Sequence, residues 1–469
     1  MKLYDYEVTG VTDDTRNVQE GWAFVAIKGE SFDGHNAARD MLSKGAAMVI
    51  TERDLGLERQ VIVENTRLAY AQAMSAFYNY PTSKLKLIAV TGTNGKSTVA
   101  SLIKSILDSL GHKTGFIGTI NYDTCGKVYN SVLSTPRQNE LYSLFAEMVQ
   151  NNAEYCVMEA SSQALAQYRI AGERFEVGVF TNLTQDHLDY HKTMEAYYQA
   201  KKSLFDMCEN ALICIDNKYG KRLANELIIT PQNNNVFTYS INELAGFYGV
   251  NIKTGGGGVS YRLMDTLTEQ SFPMNFKMPG MFNVANSIAS VAVCSLLGFD
   301  TGECVRALEK CGGVRGRSEV IYNGKFTVIC DYAHTEDALV KILTSAREYA
   351  ENRIICLFGA AGERDSEKRP IMGASAARLA DYLIITSDNP RFEDPAAIIS
   401  QVEEGCKKLM TPYKTFVDRK EAIEFALSEA QEGDIVLLCG KGHEVCQVIG
   451  DEEQPFDERE IVKQLIINN

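Results

Sequence analysis

Short, almost uninterrupted apolar runs alternate with longer amphipathic stretches through most of this chain. The run at residues 87–90 precedes a stretch with helical spacing at 97–110, and the run at 155–158 follows another at 140–150. Apolar runs of about four to eight residues are typical of strands that are buried on both faces of a parallel sheet. The alternation therefore predicts an α/β fold with parallel sheets.

The pattern changes twice along the chain and so divides it into three segments. Residues 1–84 are expected to form a small N-terminal α/β domain with short strands and one helix. Residues 85–316 repeat strand and helix around a central parallel sheet, with a β-rich excursion at 230–275. Residues 317–469 resume the alternation and predict a C-terminal Rossmann-like domain with its own core.

Composition narrows the class of protein. The chain has 469 residues, of which 45% are hydrophobic and 23% charged, and its net charge of −14 argues against a nucleic-acid partner. The first residues have no apolar signal core, and no run reaches the roughly 18 apolar residues of a membrane span. The 12 cysteines include no C-x-x-C pair and several lie in apolar runs, as reduced core residues do. We therefore expect a cytoplasmic protein.

The strongest local motif follows the apolar run at 87–90. Residues 90–98 read VTGTNGKST and open the helical stretch. Glycines let backbone N–H groups approach phosphate oxygens, Lys96 adds a positive charge, and Ser97 or Thr98 can reach Mg²⁺. The spacing matches the short G-x-x-G-K-S form, since Val90 stands where the longer form has its first glycine. The motif predicts that the central domain is P-loop ATPase-like; a chance glycine turn is the alternative.

Two neighbouring strand ends carry groups that suit a divalent cation. The apolar run at 155–158 leads into Glu159, and the run at 177–180 leads into a loop that contains His187. The carboxyl ends of parallel strands meet at one edge of a sheet. Both side chains are therefore expected to face the loop of the motif at residues 90–98, called the phosphate loop below. The pair suits a metal between a triphosphate and a second substrate, with a purely structural histidine as the alternative for His187.

Charged residues also follow several strands of the C-terminal segment. One charged loop is usually solvated surface, but several at the same sheet edge indicate a site for a charged small molecule. The loops are Asp331-Tyr332-Ala333-His334, residues 359–365 with Arg364, Asp388-Asn389-Pro390-Arg391, and residues 440–444 with the sequence GKGHE.

Together these motifs resemble those of the Mur ligase family over essentially the whole chain, in particular of the members that form a UDP-N-acetylmuramoyl-tripeptide. The resemblance implies that ATP phosphorylates the D-glutamate carboxylate of UDP-MurNAc-L-Ala-D-Glu and that the amine of meso-diaminopimelate then displaces phosphate, in peptidoglycan precursor synthesis. It also implies a monomer with small-molecule substrates and no membrane partner. Further motifs that carry the similarity are Ser134-Thr135-Pro136, Glu159-Ala160-Ser161-Ser162, Ala200-Lys201, GMFNVAN at 280–286 and Gly316-Arg317.

The resemblance assigns the ATP and metal sites. Lys96, Glu159, His187 and Lys201 match catalytic positions, and Ser97, Glu159 and His187 match Mg²⁺ ligands. In related ligases the lysine at Lys201 is modified by CO₂, which would make it N6-carboxylysine and a further Mg²⁺ ligand; without the resemblance it is a solvated helical lysine. The ATP-binding positions are Gly92, Thr93, Asn94, Gly95, Lys96, Ser97, Thr98, Asn286, Arg317 and Asp331.

The resemblance assigns the two other substrates as well. Residues 1–84 would bind the UDP-sugar, and Arg391 would pair with the second carboxylate of meso-diaminopimelate, which lysine-adding members have no need to bind. The positions for the nucleotide sugar-peptide are Thr15, Arg16, Ser134, Thr135, Ser161, Gln167 and Arg169. Those for the amino acid are Arg364, Asp388, Asn389, Arg391, Gly440 and Glu444.

Some residues depart from the family pattern. Gln163 stands in place of histidine, Glu336 in place of proline, and Ala361 and Glu363 in place of glycine and aspartate. Ala361 would matter if its backbone required a positive φ. Two alternatives stay open at this stage: a paralogous ligase that acts on L-lysine or on another carboxylate acceptor, and a non-catalytic nucleotide-binding subunit. Intact Lys96, Glu159, His187 and Lys201 argue against the second.

Overall fold

The computed structural model describes residues 1–29, 31–229 and 235–467. The chain forms two compact units, the first made of Met1–Tyr248 with Ile288–Ala307 and the second of Gly249–Ser287 with Leu308–Asn469. Among the described residues no helix has the length and apolar content that a membrane crossing needs.

Helices and strands alternate through both units, as the apolar pattern predicts. The helices are α1 Ala38–Ser43, α2 Thr66–Phe77, α3 Lys96–Ser109, α4 Gln138–Gln150, α5 Ser162–Ala166, α6 Leu188–His191, α7 Met194–Lys202, α8 Lys218–Ile229, α9 Met281–Leu296, α10 Thr301–Lys310, α11 Glu336–Tyr349, α12 Lys368–Leu379, α13 Pro395–Cys406, α14 Arg419–Glu429 and α15 Glu458–Ile467.

The strands are short, as expected of buried parallel sheets. They are β1 Lys2–Leu3, β2 Tyr6–Glu7, β3 Gly10–Thr12, β4 Trp22–Val25, β5 Met48–Thr51, β6 Gln60–Ile62, β7 Lys86–Thr91, β8 Thr114–Ile117, β9 Tyr122–Asp123, β10 Val128–Tyr129, β11 Tyr155–Glu159, β12 Phe175–Phe180, β13 Cys208–Cys214, β14 Asn235–Ser240, β15 Phe247–Gly255, β16 Gly258–Asp265, β17 Gln270–Phe276, β18 Glu319–Asn323, β19 Thr327–Asp331, β20 Ile354–Phe358, β21 Tyr382–Thr386, β22 Tyr413–Phe416, β23 Ile435–Cys439, β24 Cys446–Ile449 and β25 Glu452–Pro455.

The main sheet of the first unit runs in the order β10-β9-β8-β11-β7-β12-β13-β14. Strands β8, β11, β7, β12, β13 and β14 are parallel, and β9 and β10 extend the β8 edge in antiparallel pairing. The phosphate loop follows β7, which lies between β11 and β12. The loops that carry Glu159 and His187 therefore start from the two strands beside it.

A separate four-stranded parallel sheet, β3-β4-β5-β6, forms from residues 10–62 in the same unit. One apolar cluster joins buried residues of this region, such as Val25 and Ile50, to Leu87 and Phe180 of the main sheet. The expected single helix in residues 1–84 is wrong, because α2 follows α1. The residues of α2 include many alanines, whose small side chains contrast weakly with the polar positions, and Asn65 caps its first turn.

The second unit contains a six-stranded sheet in the order β18-β19-β23-β20-β21-β22. The strands from β19 to β22 are parallel, and β18 pairs with β19 in antiparallel register. Apolar clusters cover both faces of this sheet, with α11, α12 and α13 on one side and α14 and α15 on the other. The loops after β19, β20, β21 and β23 thus leave the same edge.

The predicted β-rich excursion at 230–275 is present in the described part of the chain, where it forms β14 to β17. Residues 230–234 of that prediction lie outside the described residues. The antiparallel hairpin of β16 and β17 lies in the second unit, with Tyr261 opposite Met274. Helix α7 stops at Lys202, and a 3₁₀ turn covers Ser203–Met207 before β13.

Candidate active site

The phosphate loop is built from backbone that only glycine adopts easily. Gly92 and Gly95 have φ values of 151° and 84°, in the region that L side chains rarely enter. A Cβ at Gly92 would also collide with the Thr181 hydroxyl and approach the Asn182 backbone nitrogen. Gly95 directly precedes α3, so the backbone N–H groups of the loop lie next to the N-terminus of this helix. This arrangement can bind an anion.

The loop after β12 holds the phosphate loop in place. The Asn182 side-chain oxygen accepts a 3.0 Å hydrogen bond from Asn94 N. The backbone carbonyl of Asn182 accepts another of 3.0 Å from Thr93 N. The Thr181 hydroxyl donates to the Asn94 carbonyl at 2.6 Å. Sequence reasoning gave Thr181 and Asn182 no role, although their place directly after the strand beside β7 is a signal that could have found them.

Two lysines converge on one carbonyl of this loop. Lys96 Nζ donates to Gly92 O and Thr93 O at 3.0 Å each, and Lys201 Nζ donates to Gly92 O at 2.8 Å. Lys201 is only 1% exposed. Burial, and secondarily the charge of Lys96, hold the pKa of Lys201 well below its usual value. The structure therefore favours an uncharged amine at Lys201. The alternative of a solvated helical lysine does not agree with this burial.

Tyr197 of α7 connects these lysines to the histidine loop. Its hydroxyl lies 3.2 Å from Thr93 Oγ1, and Lys201 Nζ lies 4.7 Å from the centre of its ring. The His187 ring meets the same ring edge-on, at 6.0 Å between centroids. Burial lowers the pKa of His187, and Lys96 and Lys201 add to this against the opposing charge of Asp186. A neutral imidazole can donate a lone pair to a metal.

Glu159 is fully buried at the end of β11. Its two carboxylate oxygens accept hydrogen bonds from Thr119, at 2.6 Å from the backbone nitrogen and 3.2 Å from the hydroxyl. Within the described residues no group of three or more His, Cys, Asp or Glu side chains is placed to hold a metal. Mg²⁺ commonly takes only one or two protein oxygens and completes its shell with phosphates and water. Glu159 and the buried Ser97 hydroxyl fit that use.

A polar cluster beside Glu159 joins five of the residues assigned to the nucleotide sugar-peptide. The Thr135 hydroxyl donates to Glu159 O at 2.7 Å and lies 3.3 Å from Ser161 Oγ. Arg169 donates to Thr135 O at 2.6 Å and to the Gln167 side chain at 2.8 Å. Ser134 Oγ lies 2.7 Å from Thr119 Oγ1. The structure thus brings Ser134, Thr135, Ser161, Gln167 and Arg169 together.

Thr15 and Arg16 lie in the loop between β3 and β4 of the same unit. The Arg16 guanidinium is exposed and pairs with Asp14 at 2.7 Å. This pairing lowers the pKa of Asp14 to about 2. The described contacts thus place Arg16 at the surface beside a carboxylate.

The remaining ATP-assigned residues belong to the second unit. Asn286 in α9 donates to the Asn283 side chain at 3.0 Å. Asp331 at the end of β19 is partly buried and accepts hydrogen bonds from Ser318 N at 2.7 Å and Ala333 N at 2.8 Å. Burial raises the pKa of Asp331, against the opposing charge of Arg317. Arg317 stacks over Tyr332, 4.9 Å from the ring centre.

The residues assigned to the amino-acid substrate lie at the carboxyl edge of the second-unit sheet. Asn389 donates to Glu444 Oε2 at 3.0 Å and accepts from Lys441 Nζ at 2.7 Å. A Cβ at Gly440 would collide with Asp388 Oδ2, so the two loops approach closely. Among the described residues Asp388 Oδ2 and Arg391 Nε are buried without a hydrogen-bond partner. Buried polar atoms without a partner are rare in folded proteins and call for an explanation, and a bound ligand is one such explanation.

Arg391 has a positive φ of 54° and is 3.8 Å from the Glu363 carboxylate. Its backbone is fixed to β24, because Arg391 N donates to Val448 O at 3.1 Å. Arg364 is exposed in the loop after β20. The structure therefore places Asp388, Asn389, Arg391, Gly440 and Glu444 together, and Arg364 at the same sheet edge.

Comparison with known proteins gives the family. Three family models match, for the Mur ligase family catalytic domain at residues 7–80, the Mur ligase middle domain at 90–294 and the Mur ligase glutamate ligase domain at 316–442. The UDP-N-acetylmuramoyl-L-alanyl-D-glutamate–2,6-diaminopimelate ligase of Caldanaerobacter subterraneus subsp. tengcongensis is 42% identical, over 98% of this chain and 95% of the relative. This chain belongs to the Mur ligase family.

Other Mur ligases support the assignment. A relative of the same name from Bacillus cereus is 39% identical, over 98% of this chain and 94% of its own. A solved UDP-N-acetylmuramoyl-L-alanyl-D-glutamate–2,6-diaminopimelate ligase has 31% identity and a TM-score of 0.73, and covers 98% of this chain and 95% of that one. The MurF ligase of Thermotoga maritima, solved with ADP, shares the fold at 18% identity and a TM-score of 0.59, over 99% of each chain. The three-domain α/β architecture expected from the sequence is confirmed.

The departures from the Mur ligase pattern have structural explanations in part. Ala361 has no positive φ and so needs no glycine, whereas Glu363 has a φ of 56°. Glu336 begins α11 and accepts a 2.7 Å hydrogen bond from Ser375. Nothing in the structure explains Gln163. The domain boundaries at 84/85 and 316/317 stay predictions.

Proposed function

We propose that this Mur ligase is an ATP-dependent carboxylate-amine ligase that joins meso-2,6-diaminopimelate to UDP-MurNAc-L-Ala-D-Glu in peptidoglycan precursor synthesis. The observation that carries the proposal is the similarity over nearly the full chain to relatives that are named for the 2,6-diaminopimelate reaction. The match covers 98% of this chain and 95% of the Caldanaerobacter relative, so the proposal applies to nearly all of the given sequence.

The reaction needs an activated carboxylate. A D-glutamate carboxylate oxygen attacks the γ-phosphorus of ATP and ADP leaves, which gives an acyl phosphate. The amine of the amino acid then attacks the acyl carbon, loses a proton, and expels inorganic phosphate. Positioning and charge neutralisation supply most of the catalysis in phosphoryl transfer. The loop 92–95, whose backbone admits phosphate oxygens, and Lys96 would position the β- and γ-phosphates, with Thr98 beside them.

Asn286, Arg317 and Asp331 are proposed as the ATP contacts of the second unit. Ser97, Glu159 and His187 would hold Mg²⁺, which supplies charge neutralisation on the phosphates when it is bound. The buried carboxylate of Glu159 and the lowered pKa of His187 fit a cation at that place.

We include Lys201 as N6-carboxylysine in the proposal. An uncharged amine nitrogen bonds to the carbon of CO₂ and releases a proton, so that the side chain becomes a carboxylate-like ligand. The burial of Lys201 and its lowered pKa support the first step. After incubation with ¹³C-bicarbonate, the carbamate signal in the NMR spectrum should be present in the wild type and absent in Lys201→Met. A wild type without this signal would contradict the modification.

The hydroxyl and guanidinium cluster of Ser134, Thr135, Ser161, Gln167 and Arg169 is proposed to bind the muramoyl-peptide, and Thr15 and Arg16 the UDP portion. For the amino acid, Arg391 and Arg364 would bind a carboxylate. Asp388, Asn389 and Glu444 would bind the distal ammonium and the groups around it. Gly440 would let the amino acid approach the backbone closely. L-Lysine has no second carboxylate for Arg391 to bind, a loss worth roughly 1–3 kcal/mol.

The direct test measures phosphate release with ATP, Mg²⁺ and UDP-MurNAc-L-Ala-D-Glu, with meso-diaminopimelate or L-lysine added in parallel, and identifies the product by mass. Turnover with diaminopimelate is the expected result. Preference for L-lysine would refute the role of Arg391 and favour the lysine-adding alternative. Nucleotide binding without turnover on either amine would favour the non-catalytic alternative. The cytoplasmic location and the monomeric state are part of the proposal, and size-exclusion chromatography with light scattering tests the latter.

A further inference from the structure

Lys441 is a lysine with no solvent exposure, in the loop that follows β23. Burying an ammonium is costly unless charge and hydrogen bonds compensate it. Its Nζ donates to Glu444 Oε2 and to Asn389 Oδ1, at 2.7 Å each.

The local backbone turns Lys441 inward. Gly440 and Gly442 on either side have φ values of 112° and 50°, and a Cβ on Gly442 would collide with Tyr332. Glu444 N then donates to Lys441 O at 2.9 Å, which closes a turn and returns the Glu444 carboxylate to the Lys441 ammonium. The sequence GKGHE therefore encodes a buried lysine and a carboxylate three residues later on the same side.

The third member comes from another strand. Asn389 follows β21, which is separated from β23 by β20. Its Nδ2 donates to the same Glu444 oxygen at 3.0 Å, and its Oδ1 also accepts from Val448 N at 3.0 Å. Lys441, Asn389 and Glu444 thus form a closed ring of hydrogen bonds that joins two loops. Removing the ammonium would open this ring and leave Asn389 bonded to Glu444 and to Val448 N only.

We propose that Lys441 is the positioning residue of the amino-acid site, which fixes Glu444 and Asn389 in the arrangement that receives the ammonium group of the incoming diamino acid. The inference rests on the proposed function, because Glu444 and Asn389 are assigned to that site there. Lys441 has no solvent exposure and acts through its two partners. Its single positive charge balances one carboxylate and so keeps Glu444 ionised; burial works to raise the pKa of Glu444, but Lys441 and Asn389 hold it below its usual value.

The test compares Lys441→Met with wild type and with Arg353→Met. Arg353 pairs with buried Asp434 at 2.6 Å, at the opposite end of the strands, so its variant removes a comparable cation away from the site. For Lys441→Met we expect the Kd and KM for meso-diaminopimelate to rise about tenfold or more, the loss of about 1.4 kcal/mol or more of binding. The kcat and the KM for ATP should stay within about twofold, since uniform binding alone is lost. Arg353→Met should lower only the melting temperature.

A double variant keeps the test decisive even if Lys441→Met folds poorly. Since Lys441 acts through Glu444 as well as Asn389, Lys441→Met/Glu444→Gln should lose less affinity for diaminopimelate than the sum of the two single losses, as coupled residues are not additive. An unchanged Kd in Lys441→Met, an equal rise in Arg353→Met, or additive losses in the double variant would each overturn the proposal. The Kd is measured by calorimetry without turnover, so a wild type that binds diaminopimelate but makes no product would refute the proposed function alone.

Discussion

At the scale of single residues, His443 shows how burial changes the chemistry of a side chain. Its ring packs against Tyr332 at 4.7 Å between centroids, and within the described residues its buried Nδ1 has no hydrogen-bond partner. Burial, and next the charge of Arg317, lower the pKa of His443 from 6.5 to about 4. Because the unfolded chain binds more protons than the folded one between these pH values, stability is lost as the pH falls through that window.

Replacing His443 by glutamine should therefore flatten the acid limb of the stability profile. Above pH 6.5 the imidazole is neutral in both states, and by pH 4 the wild type should have lost roughly 3 kcal/mol at most through this group. Urea unfolding at pH 7, 5.5 and 4.5 would measure the difference between wild type and His443→Gln. His112→Gln, at a partly exposed histidine in the first unit, is the control. Parallel profiles for wild type and His443→Gln would contradict the prediction.

Sequence spacing alone predicts those site residues that belong to a motif with fixed intervals. Gly92, Gly95 and Lys96 could be recognised because a phosphate loop needs glycine and lysine at fixed intervals. Lys201 and Lys441 could not, because a lysine in a helix or a polar loop is normally solvated and only tertiary packing shows that both are buried. Each has a partner that lies far away in the sequence, Gly92 for Lys201 and Asn389 for Lys441.

At the scale of elements, the starts of two helices are joined inside the second unit. Arg419, the first residue of α14, and Glu458, the first of α15, are buried and form an ion pair at 2.8 Å. Arg419 also donates to Ser387 O at 3.2 Å and Cys439 O at 2.8 Å, the residues that follow β21 and end β23. The pair thus supports the same sheet edge that carries Asn389 and Lys441.

Breaking this pair from one side should be more harmful than removing it. Glu458→Gln removes the carboxylate paired with the buried Arg419 charge and leaves only the more indirect attraction of Asp388, and we expect a loss of about 3 kcal/mol in the free energy of unfolding. Arg419→Met/Glu458→Met replaces both charges by apolar groups and should be the more stable variant of the two. Glu243→Gln, at the exposed pair with Lys221, should cost less than about 1 kcal/mol. Urea unfolding of these variants checks the order, and a double variant weaker than the single would contradict it.

At the scale of the whole molecule, the alternation of apolar runs was enough to predict two parallel sheets. The antiparallel strands β9, β10 and β18 were outside its reach, because edge pairing depends on tertiary context and not on local apolar content. The boundary between compact units was also beyond the pattern, since residues 249–287 belong with the C-terminal half while 288–307 belong with the first unit. A helix that passes through such a boundary, α9, has a continuous apolar pattern.

The division into units predicts separate footprints for two substrates. Ser134, Thr135, Ser161, Gln167 and Arg169 lie in the first unit, and Asp388, Asn389, Arg391 and Glu444 lie in the second. UDP-MurNAc-L-Ala-D-Glu alone should slow amide exchange around 133–135 and 161–169, and meso-diaminopimelate alone around 388–391 and 440–448, because a bound ligand suppresses local opening. Hydrogen exchange with mass spectrometry would locate both effects.

Two matched variants separate these footprints. Arg169→Met removes the guanidinium that donates to Thr135 O at 2.6 Å, and it should abolish the nucleotide-sugar footprint while the diaminopimelate footprint stays. Arg391→Met should do the reverse, since its guanidinium belongs to the loop after β21. A footprint of either substrate that survived its own variant and vanished in the other would mean that the two sites have been assigned to the wrong units.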